Sequence, residues 1–235
     1  AVYLPLRRGR NELVFAVIQL TGGWAFSARL EPSERTEKLP AVAQVMNGRA
    51  EVVTHRGARA VKLVPLPAAA DKDEDMLALL DGPDFHNGTI QLEVAGAPRA
   101  GVPPDMRGFI GLSFRTGARG EWSEVFYLRP TNGRAEDQLR RNHSVQYQSG
   151  PEYPWHRLRD EHPGVYESYA DMEAGAWTTM RIEVEGTKAK LYVNNASEPC
   201  LVVNDLKHGD RAGRIALWAH VTTDAYFGPL SVTPR

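Results

Sequence analysis

This chain has little cysteine, no long apolar run and almost no net charge. Its 235 residues include a single cysteine, Cys200, so no disulfide can form within the chain. We interpret Cys200, which stands between Pro199 and Leu201, as a buried and inert thiol. No stretch reaches the roughly 18 consecutive apolar residues that a membrane helix requires. A formal net charge of −1 argues against nucleic acid as the main partner.

Signatures of bound cofactors are equally scarce. No glycine-rich phosphate loop follows a predicted strand, which argues against a nucleotide, and the histidines lack the HExxH spacing of a zinc site. The exception is the oxygen-rich turn DGPDFHNG, where Asp81, Asp84 and Asn87 are candidate ligands for a structural calcium ion. The same residue types are ordinary turn formers, so a turn without metal is the alternative interpretation. No other cofactor is expected.

The sequence is instead made of short alternating segments separated by turn residues, which is typical of an all-β sandwich. A hairpin is predicted across Gly186 and Thr187, because two-residue turns favour glycine. The single predicted helical turn covers 134–141, with Asn132 as its cap. The predicted strands cover residues 12–20, 24–30, 50–55, 59–64, 76–80, 88–95, 108–115, 123–129, 144–148, 177–185, 188–194, 200–203, 213–219 and 225–232.

Residues 108–129 carry the most informative pattern. In both predicted strands of this segment, apolar residues fall on one face, while the other face includes polar ones, as the period of two requires. The polar members are Ser113, Arg115, Tyr127 and Arg129. If the strands pair, the sheet has one dry face and one face that offers guanidinium, hydroxyl and phenol groups. Such a face suits a glycan, although many solvated sheets share it.

The chain is predicted to contain two unequal parts. Segment 31–43 is polar and carries prolines, so we assign a linker to residues 33–43. The preceding piece, 1–32, is too small to bury a core alone, whereas 44–235 is long enough for a domain. Because the chain starts at Ala1 without methionine or a signal peptide, we expect a processed or truncated piece of a longer protein.

Both parts resemble known β-sandwiches. In the N-terminal piece, LRRGRNELVFAV and GGWAF resemble the last strands of galactose-binding-like domains, which implies that the rest of that sandwich lies upstream. In the main body, DFHNGTIQLEV, RGFIGLSFR, EVFYLRPTNG, TTMRIEVEGTKAKLYVNN and GRIALWAHVTTDAYFGPLSV resemble, in this order, a concanavalin A-like jelly roll of the laminin-G type, close to the bacterial 3-keto-disaccharide hydrolase domain. The resemblance implies a sandwich of two antiparallel sheets and an extracellular or periplasmic bacterial protein. It leaves function open, because this sandwich hosts lectins, adhesion modules and glycosidases.

A long segment, 140–168, is rich in Arg, His, Tyr and Trp and poor in aliphatic residues. Long loops are typically functional or disordered, and aromatic residues are scarce in disordered chains. Aromatic rings stack on sugars and polar side chains bond sugar hydroxyls, so we predict that this loop covers the polar sheet face and forms a glycan site. The arginines favour an anionic or oxidised sugar. The predicted ligand-binding residues are Ser113, Arg115, Tyr127, Arg129, Gln146, Gln148, Tyr153, Trp155, His156 and Arg157.

Two other interpretations of this loop remain open. In a purely structural one, Trp155 closes the edge of the sandwich and the arginines pair with Asp160, Glu161 and Glu167. In the other, the loop contacts a protein partner and the chain is an adhesion module.

Catalysis is the remaining alternative. Glu124 and Glu167 are candidate carboxylates, with His143 or His156 as an auxiliary base, because glycoside cleavage usually requires two carboxyl groups roughly 5 to 9.5 Å apart. Family 16 glycoside hydrolases of the resembled fold carry Glu-x-Asp-x-x-Glu on one strand, and this pattern does not occur here. Its absence favours a noncatalytic, glycan-binding accessory module of a larger carbohydrate-active protein over a hydrolase.

Overall fold

The computed structural model describes residues 38–235 apart from Asp71 and Asp73. The predicted strands 12–20 and 24–30, the galactose-binding-like piece 1–32 and residues 33–37 of the predicted linker therefore lie outside the described residues.

The described strands form two antiparallel sheets of seven strands each. The first sheet has the order β1 (Val42–Met46), β4 (Asp75–Leu80), β13 (Arg214–His220), β6 (Ile110–Thr116), β7 (Ser123–Leu128), β8 (Val145–Gly150) and β9 (Glu167–Ser168). The second has the order β12 (Leu201–Val203), β11 (Lys188–Val193), β10 (Thr178–Glu185), β5 (Gly88–Pro98), β14 (Thr223–Pro234), β3 (Ala58–Pro65) and β2 (Gly48–His55).

Helical structure is confined to short segments in the described part of the chain. These are α1 (Pro67–Ala70), α2 (Gln138–Asn142), α3 (Trp155–Glu161) and a 3-10 turn, Pro130–Asn132. None of these helices has the length and apolarity that crossing a membrane would require.

The core lies between the facing sides of the two sheets. Alternate residues of β6, Ile110, Leu112 and Phe114, are fully buried there, and Ile182 of β10 projects from the opposite sheet into the same cluster. At about 25 cal/mol for each Å² of apolar surface removed from water, burying one such side chain contributes roughly 1.5–3 kcal/mol. This packing fixes which face of each strand points outward.

The predicted all-β sandwich is confirmed, and every predicted strand within the described residues matches an observed strand to within a few residues. The hairpin at Gly186 is also confirmed: Glu185 pairs with Lys188, and Gly186 has φ +57°, which favours glycine. The helical turn begins later than predicted, because the carboxylate of Asp137 caps α2 by accepting the Arg140 backbone N–H at 2.6 Å.

Several described elements were not predicted, among them α1, the 3-10 turn and β9. Strand β1 begins at Val42, inside the segment assigned to the linker, and pairs with β4. Helix α3 lies inside the aromatic segment predicted as irregular.

Candidate functional site

A cavity of about 830 Å³ opens on the outer face of the first sheet, away from the core. Residues of β4, β7, β8 and β13 form its floor, and α2, α3 and the loop before β6 form its walls. Its lining residues are Asp75, Asp105, Met106, Arg107, Phe109, Tyr127, Arg129, Asn132, Asp137, Leu139, Arg140, His143, Gln148, Gly150, Pro151, Pro154, Trp155, His156, Arg159, Trp218 and His220.

One cross-strand row of residues on the outer side of the sheet passes beneath the cavity. Five strands contribute to it, in the register Trp218, Gly111, Tyr127, Gln146 and Glu167. Because directly opposed residues of neighbouring strands share a face, these positions all belong to the outer side of the sheet. The row therefore runs from an aromatic end to a charged end.

Gly111 allows the two aromatic rings of this row to meet. The ring centroids of Tyr127 and Trp218 are 4.8 Å apart, although their strands are separated by β6. A Cβ atom on Gly111 would overlap the Phe126 carbonyl oxygen and stand 2.6 Å from the Tyr127 Cα. Because Gly111 has no side chain, the rings of Tyr127 and Trp218 occupy the space beside its backbone. We call these two rings the aromatic platform.

Phe109 and His220 extend this platform at the end of the sheet. The Phe109 ring lies 6.2 Å from that of Tyr127 and 5.7 Å from that of His220, both in edge-to-face arrangements. His220 is also the register partner of Asp75 on β4, so a carboxylate and an imidazole border the aromatic surface. Tyr127 is 1% exposed and Trp218 is 5% exposed, so these rings form the base of the platform, and the partly exposed Phe109 supplies its accessible aromatic surface, with polar groups at the edge.

Arg129 contacts both the aromatic platform, at Tyr127, and the cavity wall, at Trp155. Its side chain is 5% exposed; Nη2 donates to the Tyr127 hydroxyl at 2.8 Å and Nη1 to the His143 carbonyl at 3.1 Å. The guanidinium lies over the rings of Tyr127 at 5.1 Å and Trp155 at 5.5 Å. Burial lowers the pKa of Arg129, and burial raises the pKa of the Tyr127 phenol to about 12. The phenol is therefore a neutral hydroxyl at physiological pH.

Glu167 closes the charged end of the row. Its carboxylate, 6% exposed, accepts hydrogen bonds from Arg159 Nε at 3.0 Å and Nη2 at 2.6 Å. His143 Nε2 lies 3.3 Å from the other carboxylate oxygen, and Arg129 Nη1 is 3.9 Å away. Such a two-pronged pair with Arg159 offsets the cost of burying the carboxylate. Burial lowers the pKa of His143, although Glu167 acts in the opposite direction.

Trp155 opens α3 and forms one wall of the cavity. Its side chain is 40% exposed, so its ring is accessible from solvent, and the Arg159 guanidinium lies 4.8 Å from its centroid on the next turn. The His156 ring stands edge-on to it at 5.6 Å. The Pro154 preceding α3 has extended backbone, and both Pro154 and Trp155 line the cavity.

Five of the predicted ligand-binding residues line this cavity: Tyr127, Arg129, Gln148, Trp155 and His156. Four others do not. Ser113 bonds Thr116, and Gln146 donates to the carbonyls of Tyr147 and Tyr166, so both are buried within the sheet. Tyr153 and Arg157 stack on each other at 4.6 Å outside the cavity lining.

Arg115 occupies a different position from the expected one. Two residues of β6, Phe114 and Arg115, oppose the single Ile215 of β13, and Arg115 has φ +48°. This bulge shifts the alternation, so the fully buried guanidinium bonds the Asn87 side chain, the His86 and Gly209 carbonyls and Asp210. Its expected place beneath the aromatic loop is thereby corrected: Arg115 holds two loops together at another part of the sandwich.

Glu124 also faces away from the cavity. It pairs with Phe114, on the inner side of the sheet, and is fully buried. One carboxylate oxygen accepts the Tyr147 hydroxyl at 2.5 Å and the other accepts the His208 backbone N–H at 2.9 Å. These bonds give Glu124 a structural role on the opposite side of the sheet from Glu167.

The residues of the calcium hypothesis lie in the loop before β5. Asp81 and Asp84 are exposed, whereas the Asn87 side-chain oxygen already accepts bonds from Arg115 at 3.0 Å and from the Gly186 N–H at 2.9 Å. Residues 38–235, without Asp71 and Asp73, contain no group of three or more His, Cys, Asp or Glu side chains suited to a metal ion. The calcium site at Asp81, Asp84 and Asn87 stays a prediction.

Several cavity residues were missed from the sequence: Phe109, Arg107, Arg140, Trp218 and His220. A signal existed for two of them. In RIALWAH, Trp218 and His220 alternate with buried apolar residues and so share an outward face. What the pattern lacked was the neighbour: β13 pairs with β6, about one hundred residues earlier.

Comparisons with known proteins identify the fold. No family model and no curated protein matches the chain. Among solved structures, the carbohydrate-binding module CBM66 from Bacillus subtilis aligns with a TM-score of 0.56 at 13% identity, covering 83% of this chain and 97% of that module. The Ca²⁺-bound exoplasmic/lumenal domain of VIP36 aligns with a TM-score of 0.52 at 10% identity, covering 82% and 84% respectively. The chain thus has the concanavalin A-like jelly-roll fold that its sequence predicted.

Proposed function

We propose that this chain is a carbohydrate-binding, lectin-like accessory module of a larger bacterial carbohydrate-active protein, and that the outer-face cavity holds the sugar. The observation that carries the proposal is the cavity lined by the exposed ring of Trp155, the partly exposed ring of Phe109 and several polar side chains, over a base formed by the buried rings of Tyr127 and Trp218. A pyranose has an apolar face and a belt of hydroxyls, so it requires both surfaces together.

The polar rim can supply directional hydrogen bonds. Arg129 donates to Tyr127 and to the His143 carbonyl and is 5% exposed, so it contributes positive charge at the base of the cavity. Gln148 and His156 add groups that can donate or accept. Trp155, exposed on the wall opposite the platform, would clamp a ring from the other side.

The fold supports the same proposal by analogy. The similar CBM66 structure is described as a carbohydrate-binding module, and here the function is carried over as a hypothesis. The same hypothesis includes an extracellular or periplasmic setting and an upstream domain in the same polypeptide. By binding the glycan, this module would keep that upstream domain close to it.

Hydrolysis is the alternative from another class. Glu167 borders the platform, and Asp75 lies on the same outer face, but β4 and β9 are five strand spacings apart, roughly 24 Å at about 4.8 Å each. That exceeds the roughly 5 to 9.5 Å that separate a glycosidase pair. An adhesion module is the other alternative, and Leu139, exposed at the cavity wall, is the apolar side chain that would favour it.

A glycan-array screen of the chain tests the proposal, with Trp155→Ala compared against Tyr169→Ala. The two aromatic side chains are similarly exposed, at 40% and 45%, but Tyr169 does not line the cavity. We expect Trp155→Ala to weaken binding by on the order of tenfold and Tyr169→Ala to leave it unchanged. Equal losses in both variants, or no binding to any glycan, would contradict the proposal. Release of reducing sugar from a bound glycan would promote the hydrolase.

A further inference from the structure

The cavity has a strongly cationic end. Arg107, Arg129 and Arg140 all line it, and they come from three different segments: the loop before β6, the residue after β7 and helix α2. The Thr131 N–H donates to the Arg107 carbonyl at 3.3 Å, which holds the first segment against the 3-10 turn that follows Arg129. The fold thus gathers three guanidinium groups at one end of the aromatic platform.

Neither Arg107 nor Arg140 is paired with a carboxylate in the described part of the chain. Arg107 donates to the carbonyls of Pro104 and Met106, at 3.1 and 3.3 Å. Arg140 Nε donates to the Asn132 side chain at 2.9 Å, and its Nη2 lies 3.3 Å from the Thr131 hydroxyl. All of these acceptors are neutral, so they orient the guanidinium groups without neutralising them.

The positive charges of Arg129 and Arg140 both act on Arg107. Burial lowers the pKa of Arg107, and the positive charges of Arg140 and Arg129 lower it further, while Asp105 acts in the opposite direction. Asp137 also lines the cavity, but its carboxylate accepts the Arg140 backbone N–H as the cap of α2. An anion placed among these arginines would relieve this repulsion.

We propose that this end of the cavity is an anion subsite, in which Arg107 and Arg140 bind a carboxylate or sulfate carried by the sugar and the buried Arg129 adds positive charge. The inference rests on the proposed function, because the aromatic platform must hold the sugar ring for its anionic substituent to reach the arginines. Guanidinium suits both groups, since its parallel N–H donors match two oxygens of a carboxylate or of a sulfate ester. Arg115, the other arginine of the original prediction, lies outside the cavity lining and takes no part.

The test uses ligand pairs that differ only in charge, titrated by tryptophan fluorescence because Trp155 and Trp218 line the cavity. Oligogalacturonate is compared with its methyl ester, and a sulfated glycosaminoglycan fragment with its desulfated form. We expect the charged member of one pair to bind at least tenfold more tightly, with the advantage shrinking as salt rises from 50 to 500 mM. The pair that responds distinguishes carboxylate from sulfate.

Substitutions test whether Arg107 and Arg140 cause the preference for the charged ligand. Arg107→Gln with Arg140→Gln should reduce the charge preference by about tenfold or more, because binding of the charged member should weaken far more than binding of the neutral member. Arg107→Lys, which keeps the charge, should retain part of the preference, and Arg157→Gln, which removes an exposed arginine outside the cavity lining, should retain all of it. Thermal unfolding verifies that each variant is folded.

The outcomes separate this inference from the proposed function. If neutral and charged members bind equally, or if the preference survives the double substitution, the anion subsite is overturned while the glycan-binding proposal stands. If neither member of either pair binds, and the glycan array is also empty, both are overturned.

Discussion

Glu124 and Glu167 project from opposite faces of the same β-sheet. Glu124 opposes Phe114 on the core side, whereas Glu167 opposes Gln146 in the outer row that contains Tyr127. The sheet itself therefore separates the two carboxyl groups, and they cannot flank one glycosidic bond. A hydrolase built on this pair is incompatible with the register of the strands.

Glu124→Gln should destabilise the fold without affecting ligand binding. The two carboxylate oxygens of Glu124 accept hydrogen bonds from the His208 N–H and the Tyr147 hydroxyl. In glutamine one of these oxygens is replaced by an NH₂ group, so one donor would face another donor. We expect the free energy of unfolding in urea to fall by about 1–3 kcal/mol, the cost of an unsatisfied buried polar group. Glu161→Gln, at an exposed ion pair with Arg157, serves as the control and should change it by less than about 1 kcal/mol. Loss of glycan binding at unchanged stability would show that Glu124 acts in the site instead.

Gly111→Ala tests the close approach of the strands beneath the platform. Its Cβ would meet backbone atoms of Phe126 and Tyr127, which cannot move aside as a flexible side chain can. We expect the free energy of unfolding to fall by about 1–3 kcal/mol, as for other overpacked sites, and the affinity for glycan to fall with it. Gly117→Ala is the comparison, because the nearest group there is the exposed, flexible carboxylate of Glu121. An unchanged melting temperature for Gly111→Ala would contradict this account of the floor.

The strands could be predicted because their signals are local. Alternation between apolar and polar residues and the turn at Gly186 are visible within a few residues of sequence. Helix α3 could not be found in this way, since seven residues give it a single buried side chain, Leu158, and therefore no apolar stripe. Strand β9, Glu167–Ser168, is two residues long and has no pattern at all.

The candidate site was predictable only in part, because its geometry depends on distant pairings. Tyr127 and Arg129 were found from their own strand, but Trp218 reaches the platform only because β13 lies beside β6 in the sheet. Arg115 was misplaced for a different reason: it adopts a positive φ although it is not glycine, so nothing in the sequence marks the bulge that turns it away.

Cys200 should be nearly inert at mildly alkaline pH. Burial raises the pKa of its thiol to about 11, and its Sγ donates to the Leu191 carbonyl at 3.4 Å. At pH 8 roughly one thiol in a thousand would be ionised, compared with about a quarter of ordinary cysteines. Alkylation by iodoacetamide should therefore be at least about tenfold slower than for free cysteine, and unfolding in guanidinium chloride should restore the normal rate. Rapid labelling of the native chain would show that the thiol is exposed and reactive.

His143 should make the stability of the fold depend on pH. Burial lowers the pKa of His143 in the folded chain. At pH values between this lowered pKa and the unfolded pKa of about 6.5, the unfolded state therefore binds more protons than the folded state. The free energy of unfolding should therefore decrease as the pH falls through about 6.5, and His143→Gln, which cannot be protonated, should show a shallower decrease. Urea unfolding at intervals from pH 7.5 to 5 measures both slopes, and proton NMR of the imidazole gives its midpoint directly. A midpoint above 6.5 would mean that the attraction of Glu167, 3.3 Å away, outweighs burial and the positive charges of Arg159 and Arg129.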